Sequence, residues 1–239
     1  MFLLDFFACV VSFDNILDSC SWIQNAADRT VMIQGVNHQC NIFADITIDV
    51  NTREILEKNP QLENLDAAYY MGSGALFARD LLDFSGFQLH ASAVALDGRA
   101  YLFSAYSGTG KSTHTGKWVR LFGARYINDD KPALRLRDGV WTAYGTPWSG
   151  KNDLSSPEGY PVGGIAFVER GDHNAIRRLS PVEAFPMVMA QTLKFLNRRR
   201  VERKLELLDQ CLRTVPVWLL TCQNNDEAAY VSHRAMTGV

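Results

Sequence analysis

What this chain has little of narrows the field first. Its 239 residues include five cysteines, Cys9, Cys20, Cys40, Cys211 and Cys222, an odd number with no close CxxC pair. That argues against both a thiolate metal site and a disulfide framework, and makes reduced thiols in a cytoplasm the expectation. There is no excess of charge of one sign. Lys and Arg number 24 against 26 Asp and Glu, a net charge of -2, so nothing global points to nucleic acid or an anionic membrane as a partner. Long apolar runs are also missing. The opening MFLLDFFACVVSF is interrupted by Asp5 and has no basic flank, which argues against a signal peptide. It is too short to cross a bilayer as a helix, and a buried strand or helix is the expectation. No long linker, repeat or low-complexity tract appears. What is present is ordinary for a folded protein, 47% hydrophobic and 21% charged residues, enough for a sizeable core in one large domain or two small ones.

Local patterns give an α/β reading. TVMIQGVNHQCNIFADITIDV carries β-branched alternation and turn residues, so strands are expected there. ENLDAAYYMGSGALFARDLL has helical spacing around a Gly-Ser-Gly break. FQLHASAVALDGRAYLFSA is two apolar runs joined by Asp97-Gly98, a strong hairpin signal, and PALRLRDGVWTAYG is a second Asp-Gly hairpin. A helix is expected from about Lys111 to Leu121, closed by Gly123. RYIN is a short strand that stops at Asp129, and GGIAFVER and VPVWLLTC read as strands. SPVEAFPMVMAQTLKFLN opens with Ser180 as N-cap, Pro181 in the first turn and Glu183 three residues after the cap, a capping-box start. VERKLELLDQCLR is a further helix.

Chemistry concentrates in YLFSAYSGTGKSTHTGKW, residues 101–118. It follows the pattern of a phosphate-binding loop, Gly, four residues, then Gly-Lys-Ser/Thr, except that Ala105 stands where the first glycine belongs. Such a loop works because consecutive backbone N–H groups point into one concavity and the next helix adds its free N–H groups and dipole. Lys111 would reach the terminal phosphates and Ser112 would ligate Mg²⁺. The competing reading is a chance glycine turn that starts a helix. Asn128-Asp129-Asp130 follows one helix later, at the end of an apolar strand. One carboxylate there can hold the metal and the other accept the proton of an attacking hydroxyl. Alternatively, an Asn-Asp run is a solvated turn. His90 begins the first strand of the hairpin and could orient an acidic base, although a lone strand histidine is more often structural. YGTPWSGK ends in Lys151, which could stabilise charge on a transferring phosphoryl group or be an ordinary surface lysine. NRRR, residues 197–200, could bind an anion but is more commonly a solvated helix end.

Together, HASAV…SAYSGTGKST…INDD resembles the catalytic domain of HPr kinase/phosphorylase over roughly residues 86–185. SGTGKST is also similar to the nucleotide loop of ATP-dependent phosphoenolpyruvate carboxykinase, whose core shares that fold. NDDKP and GTPWSGK bring the chain nearer to small HPr-kinase-like proteins, some of them associated with modified-peptide biosynthesis; lasso-peptide kinases, which phosphorylate a hydroxyl of a precursor peptide, belong to the same wider group. The resemblance implies an α/β fold with a mixed sheet and a carboxykinase/HPr kinase-like P-loop core over 86–239, preceded by a smaller α+β portion, 1–85, suited to acceptor recognition. It implies nucleotide binding by Ser107, Gly108, Thr109, Gly110, Lys111, Ser112 and Thr113, with Mg²⁺ on Ser112, Asp129 and Asp130. The pair Asp129 and Asp130 shares the base and metal roles without apportionment, His90 supports the base, and Lys111 and Lys151 offset charge. The implied activity is an ATP-dependent (or other nucleotide-dependent) kinase acting on a hydroxyl, a serine by preference, of a peptide or small protein. No nucleic-acid or membrane partner is expected, and a homo-oligomer is compatible. The chain departs from the HPr kinase pattern at Ala105, and it lacks the Arg-Gly-x-Gly segment that follows the Asp pair there, which counts against HPr as the substrate and against phosphorylase activity. A nucleotide sensor without transfer, a phosphotransferase acting on a metabolite and a structural protein with a vestigial loop are the competing functions.

Overall fold

The computed structural model describes residues 21–24, 30–33, 36–40, 45–49, 65–106, 108–150 and 152–238. The opening apolar stretch, Ser107 and Lys151 lie outside the described residues. Four short strands, β1 (Ser21–Gln24), β2 (Thr30–Ile33), β3 (Val36–Cys40) and β4 (Asp45–Asp49), form a sheet in the order β1-β4-β2-β3. Three of them fall where β-branched alternation places strands. Helix α1 (Leu65–Asp80) follows and runs on through its Gly-Ser-Gly segment. The glycines do not break the helix, and Gly74 serves packing. A Cβ on Gly74 would lie 2.8 Å from the Trp148 indole nitrogen, so only glycine lets that ring approach the helix backbone.

The main sheet has nine strands: β5 (Gly86–Gln88), β6 (Ala91–Leu96), β7 (Arg99–Ser104), β8 (Arg125–Asn128), β9 (Ala133–Arg137), β10 (Val140–Tyr144), β11 (Gly159–Arg170), β12 (Ala175–Arg178) and β13 (Val217–Cys222). Their order is β5-β9-β10-β11-β7-β6-β8, with β13 paired to β11 and β12. Both Asp-Gly hairpins form. Asp97 and Gly98 have φ of 50° and 72°, and Asp138 and Gly139 have φ of 50° and 79°. Two consecutive left-handed residues are what a two-residue turn needs to match the twist of its strands.

The sheet is mixed. β11 runs parallel to β7 and β13, whereas β6 is antiparallel to both β7 and β8. Strands β7 and β8 are therefore parallel to each other with β6 between them, and α2 (Lys111–Phe122) is their crossover. Side chains alternate across the strands into two cores. Ala93, Leu102, Ile165, Phe167 and Val217 join one cluster, and Val94, Tyr101, Phe103, Ala166 and Trp218 the other. Helices α3 (Pro181–Ala190) and α4 (Arg198–Thr214) cover the first with Ala184, Val188, Leu207 and Leu208; α2 and α5 (Asp226–Thr237) cover the second with Trp118, Ala229 and Met236. The fold is thus α/β with a mixed sheet between two helical layers. Among the described residues no helix is long and apolar enough to cross a membrane.

The capping box at Ser180 and Glu183 is formed as expected, with both reciprocal hydrogen bonds in place. The helix it starts stops at Ala190, short of the apolar spacing that continues to Asn197. Helix α5, which closes the second core, has no start or spacing signal among those read from the sequence.

Candidate active site

Strand β7 delivers the chain into the glycine loop. Ala105 is buried in the second core cluster and its backbone is not left-handed. The left-handed positions are Gly108, φ 77°, and Gly110, φ 119°. A Cβ on either would meet nothing within 4 Å. The demand for glycine there is conformational and owes nothing to crowding, and it does not extend to position 105, where a small apolar side chain packs into the core. The missing first glycine therefore imposes no backbone strain at Ala105.

Helix α2 starts directly at Lys111, with Gly110 as an N-cap that offers no side-chain hydrogen bond. Its first N–H groups are open to an anion. Ser112 and Thr113 are exposed beside them, whereas Lys111 is buried. The Lys111 ammonium donates to the Ala105 carbonyl at 3.1 Å. Burial lowers its pKa, and the charges of Asp130 and Asp129 pull the other way. Arg170, at the end of β11, holds the loop from outside, donating from Nη2 to the Gly108 carbonyl at 2.6 Å and from Nε to the Thr109 carbonyl at 3.5 Å. In a trans peptide the carbonyl and the following N–H point in opposite directions. Holding the Thr109 carbonyl therefore turns the Gly110 N–H away from Arg170.

The acidic pair is no solvated turn. Asn128 is fully buried; its Oδ1 accepts from the N–H groups of Asp130 at 3.0 Å and Lys131 at 2.7 Å, and its Nδ2 donates to the Thr146 carbonyl at 2.9 Å. This shapes the exit from β8 and fixes both carboxylates. Asp129 is 6% exposed. Its Oδ1 accepts from the Ser92 hydroxyl at 2.7 Å and its Oδ2 from the Asn152 amide at 3.1 Å. Ser92 also meets the Thr115 hydroxyl at 2.8 Å, which ties Asp129 to the first turns of α2.

Asp130 is more open. Its Oδ1 lies 3.4 Å from His90 Nε2 and its Oδ2 lies 3.8 Å from the Lys131 ammonium. Burial pushes its pKa up, but the His90 hydrogen bond and the charges of Lys131, His90 and Lys111 together outweigh that and hold the carboxyl below its ordinary range. His90 sits in the gap between β5 and β6, just ahead of the hairpin strand that was expected to begin with it. Its N–H leaves the sheet to donate to the Gln191 carbonyl at 2.8 Å, and its Nδ1 meets Gln191 Oε1 at 2.9 Å.

The GTPWSG loop forms the remaining wall. Trp148 is buried, donates from its indole to the Tyr70 carbonyl at 2.9 Å and packs 4.9 Å from the Phe77 ring. Gly150, φ 77°, lies against Asp130, where a Cβ would come within 3.1 Å of the Asp130 Cβ. The structure thus brings the glycine loop, Lys111, Asp129, Asp130 and His90 to one place. Arg170, Ser92, Asn152, Gln191 and Tyr70 were missed by sequence reasoning, because single polar residues on strands and loops carry no spacing signal. The NRRR run is not part of this site: Arg198 pairs with Glu202, and Arg200 with Asp80 and Asp83.

No protein-family model matches the chain, and no curated protein matches it. Among solved structures, the HPr(Ser) kinase/phosphatase from Coxiella burnetii is similar over 63% of this chain and 93% of its own, at 11% identity and a TM-score of 0.36. At that level the likeness is distant and bears no weight for function, which has to be read from this chain's own side chains.

Proposed function

We propose that this protein is a kinase, dependent on Mg²⁺ and a nucleotide, that transfers a phosphoryl group to a hydroxyl of a peptide or small protein, a serine by preference. The observation that carries the reading is one juxtaposition. A buried lysine ammonium stands at an uncapped helix start near two adjacent carboxylates, one buried and the other paired with an imidazole. Lys111 has a single carbonyl partner among the described residues, so a buried cation keeps donors for anionic oxygens. Phosphate oxygens suit those donors together with the free N–H groups of α2.

In transfer, a bond forms between the acceptor oxygen and the terminal phosphorus, the bond from that phosphorus to the bridging oxygen breaks, and the hydroxyl proton passes to a carboxylate. Asp130 is suited to receive it, being the more accessible of the pair and oriented by His90. Asp129, held by Ser92 and Asn152, is suited to the metal side with the exposed Ser112 hydroxyl. Among the described residues no cluster of three or more His, Cys, Asp or Glu side chains gathers. One carboxylate, one hydroxyl, water and phosphate oxygens make a hard-oxygen set that suits Mg²⁺. Bound there, the metal would neutralise charge on the phosphates. Lys111 would stabilise charge developing on the terminal phosphate.

The test is transfer of labelled γ-phosphate from Mg-nucleotide to a degenerate mixture of Ser- and Thr-containing peptides. Lys111→Ala is expected to lower the rate by about 10²–10³. Unchanged transfer by that variant would remove this site from the chemistry, and tight nucleotide binding with no transfer to any acceptor would make the protein a sensor.

A further inference from the structure

A cleft of about 480 Å³ opens beside the glycine loop, on the side of β11 and α3. Tyr106 and Thr109 of the loop line it, and Phe167, Met187 and Leu219 give it an apolar wall. Tyr106 is 69% exposed, a large aromatic side chain left in solvent. Gln191 lines the same cleft, yet it is only 8% exposed. One polar atom of its amide meets His90 Nδ1 at 2.9 Å. The other has no partner among the described residues. A buried amide group left unmatched is costly unless a ligand or water completes it. The cleft, whose lining also includes Glu169 and Arg170, therefore has the size, the apolar walls and the few polar side chains of a small-molecule site.

We propose that this cleft holds the nucleoside of the donor nucleotide, with Tyr106 against the face of the base and the Gln191 amide on its edge. Gln191 is then also a positioning residue that ties occupancy of the cleft to His90. Both roles rest on the glycine loop binding phosphates. Tyr106, Gly108 and Thr109 belong both to the loop and to the cleft, so a molecule with its phosphates at the start of α2 has its remainder in this space. Apolar walls with one exposed aromatic ring suit a flat heterocycle. The second role follows from geometry. Gln191 holds His90 twice, through its side chain and through its backbone carbonyl at 2.8 Å, and His90 reaches Asp130. A ligand that takes up the free end of the amide fixes the rotation of the end that holds His90.

Calorimetry on the full chain with Mg-ATP and Mg-GTP, each compared with Mg-tripolyphosphate, separates the parts. Tyr106→Ala and Gln191→Leu are each expected to weaken the preferred nucleotide about tenfold or more and to leave tripolyphosphate unchanged. Lys111→Ala is expected to weaken both ligands. If wild type binds tripolyphosphate as tightly as either nucleotide, or the two cleft variants lose no nucleotide affinity, the cleft is not the nucleoside site, and phosphate binding by the loop survives. If tripolyphosphate itself fails to bind wild type, phosphate binding by the loop falls and the nucleoside site with it. Should Gln191→Leu not fold, Tyr106→Ala, at an exposed side chain, decides the cleft alone. The tie to His90 is read at constant pH from histidine side-chain NMR signals. The nucleoside without phosphates is expected to move the His90 imidazole resonances in wild type and not in Gln191→Leu. A wild-type imidazole that stays unmoved on saturation would overturn the coupling.

Discussion

Two walls of the candidate site, the acidic pair and the glycine loop, are built from different material. The acidic wall is made of side chains. Asn128 shapes the turn, Ser92 and Asn152 hold Asp129, and His90 and Lys131 flank Asp130. The loop wall is made of backbone. Its shape comes from two left-handed glycines and from carbonyl groups that accept from Arg170 and Lys111. A side-chain wall can be taken apart one hydrogen bond at a time, whereas a backbone wall fails when one dihedral is denied. The difference also separates tasks in the proposed reaction. Backbone N–H groups bind phosphate without regard to what is attached to it, and placed side chains are what proton transfer requires.

The largest effect expected comes from breaking the acidic wall at its reactive end. Asp130→Asn keeps the shape and removes the proton acceptor, so phosphotransfer should fall by about 10²–10⁴, with nucleotide affinity measured by calorimetry little changed. A loss of affinity matching the loss of rate would place Asp130 in phosphate or metal binding and overturn its assignment as the base. Next is the support behind that wall. Ser92 is fully buried and donates to Asp129. Ser92→Ala leaves a buried carboxylate oxygen short of a donor and should lower unfolding free energy by about 2 kcal/mol in a denaturant titration. A stability equal to that of wild type would mean that water replaces the hydroxyl. The loop wall should give a smaller change. Gly108→Ala puts a Cβ into open space at φ 77°, so its cost is conformational alone, about 1–2 kcal/mol. It should appear as weaker tripolyphosphate binding, with near-normal thermal unfolding of the rest of the protein. An unaffected affinity would show that the loop tolerates another dihedral at this position.

The same contrast explains what could be read from the sequence. Backbone-built features have short local signatures. Asp97-Gly98, Asp138-Gly139, the Gly108–Ser112 run and the Ser180 capping box all carry residue types that one backbone geometry selects, and each is found where it was expected. The loop residues were legible as candidates for the same reason; the acidic pair and His90 were legible only by their place around that loop and the resemblance it carries. The partners of the acidic pair were not. Ser92 lies 37 residues from Asp129 and Gln191 lies 101 from His90, and nothing local in a Ser on an apolar strand or a Gln after a helix announces a distant partner. Gly72-Ser73-Gly74 misled in the opposite direction, because a glycine that admits the Trp148 ring looks, in sequence, like a break. The likeness to kinases was likewise read from motif residues, and the overall superposition adds only a distant fold relationship.

The smallest effect expected lies at the far end of helix α3, whose C-terminal cap is Gln191. The helix is pinned at its start by the capping box. Glu183 Oε2 accepts from the Ser180 N–H at 2.9 Å, and Oε1 accepts from Arg177 at 2.8 Å. The Ser180 backbone, then Arg177 and the Ser180 hydroxyl, hold the Glu183 carboxyl down at about 2 against an ordinary value of 4.5. The folded form releases this proton more readily than the unfolded form, so the contribution is complete above the unfolded pKa and disappears as pH falls through the folded one. Glu183→Gln preserves the cap geometry but cannot ionise. The difference in melting temperature between wild type and Glu183→Gln should therefore be steady above about pH 5 and shrink toward zero between about pH 4.5 and 2. Asp130, also held below its usual range, loses its own contribution in the same acid range in both proteins and cancels in the comparison. A difference that stays constant down to about pH 2 would show that the capping box contributes through shape alone, and that the start of the helix carrying Gln191 is set without its charge.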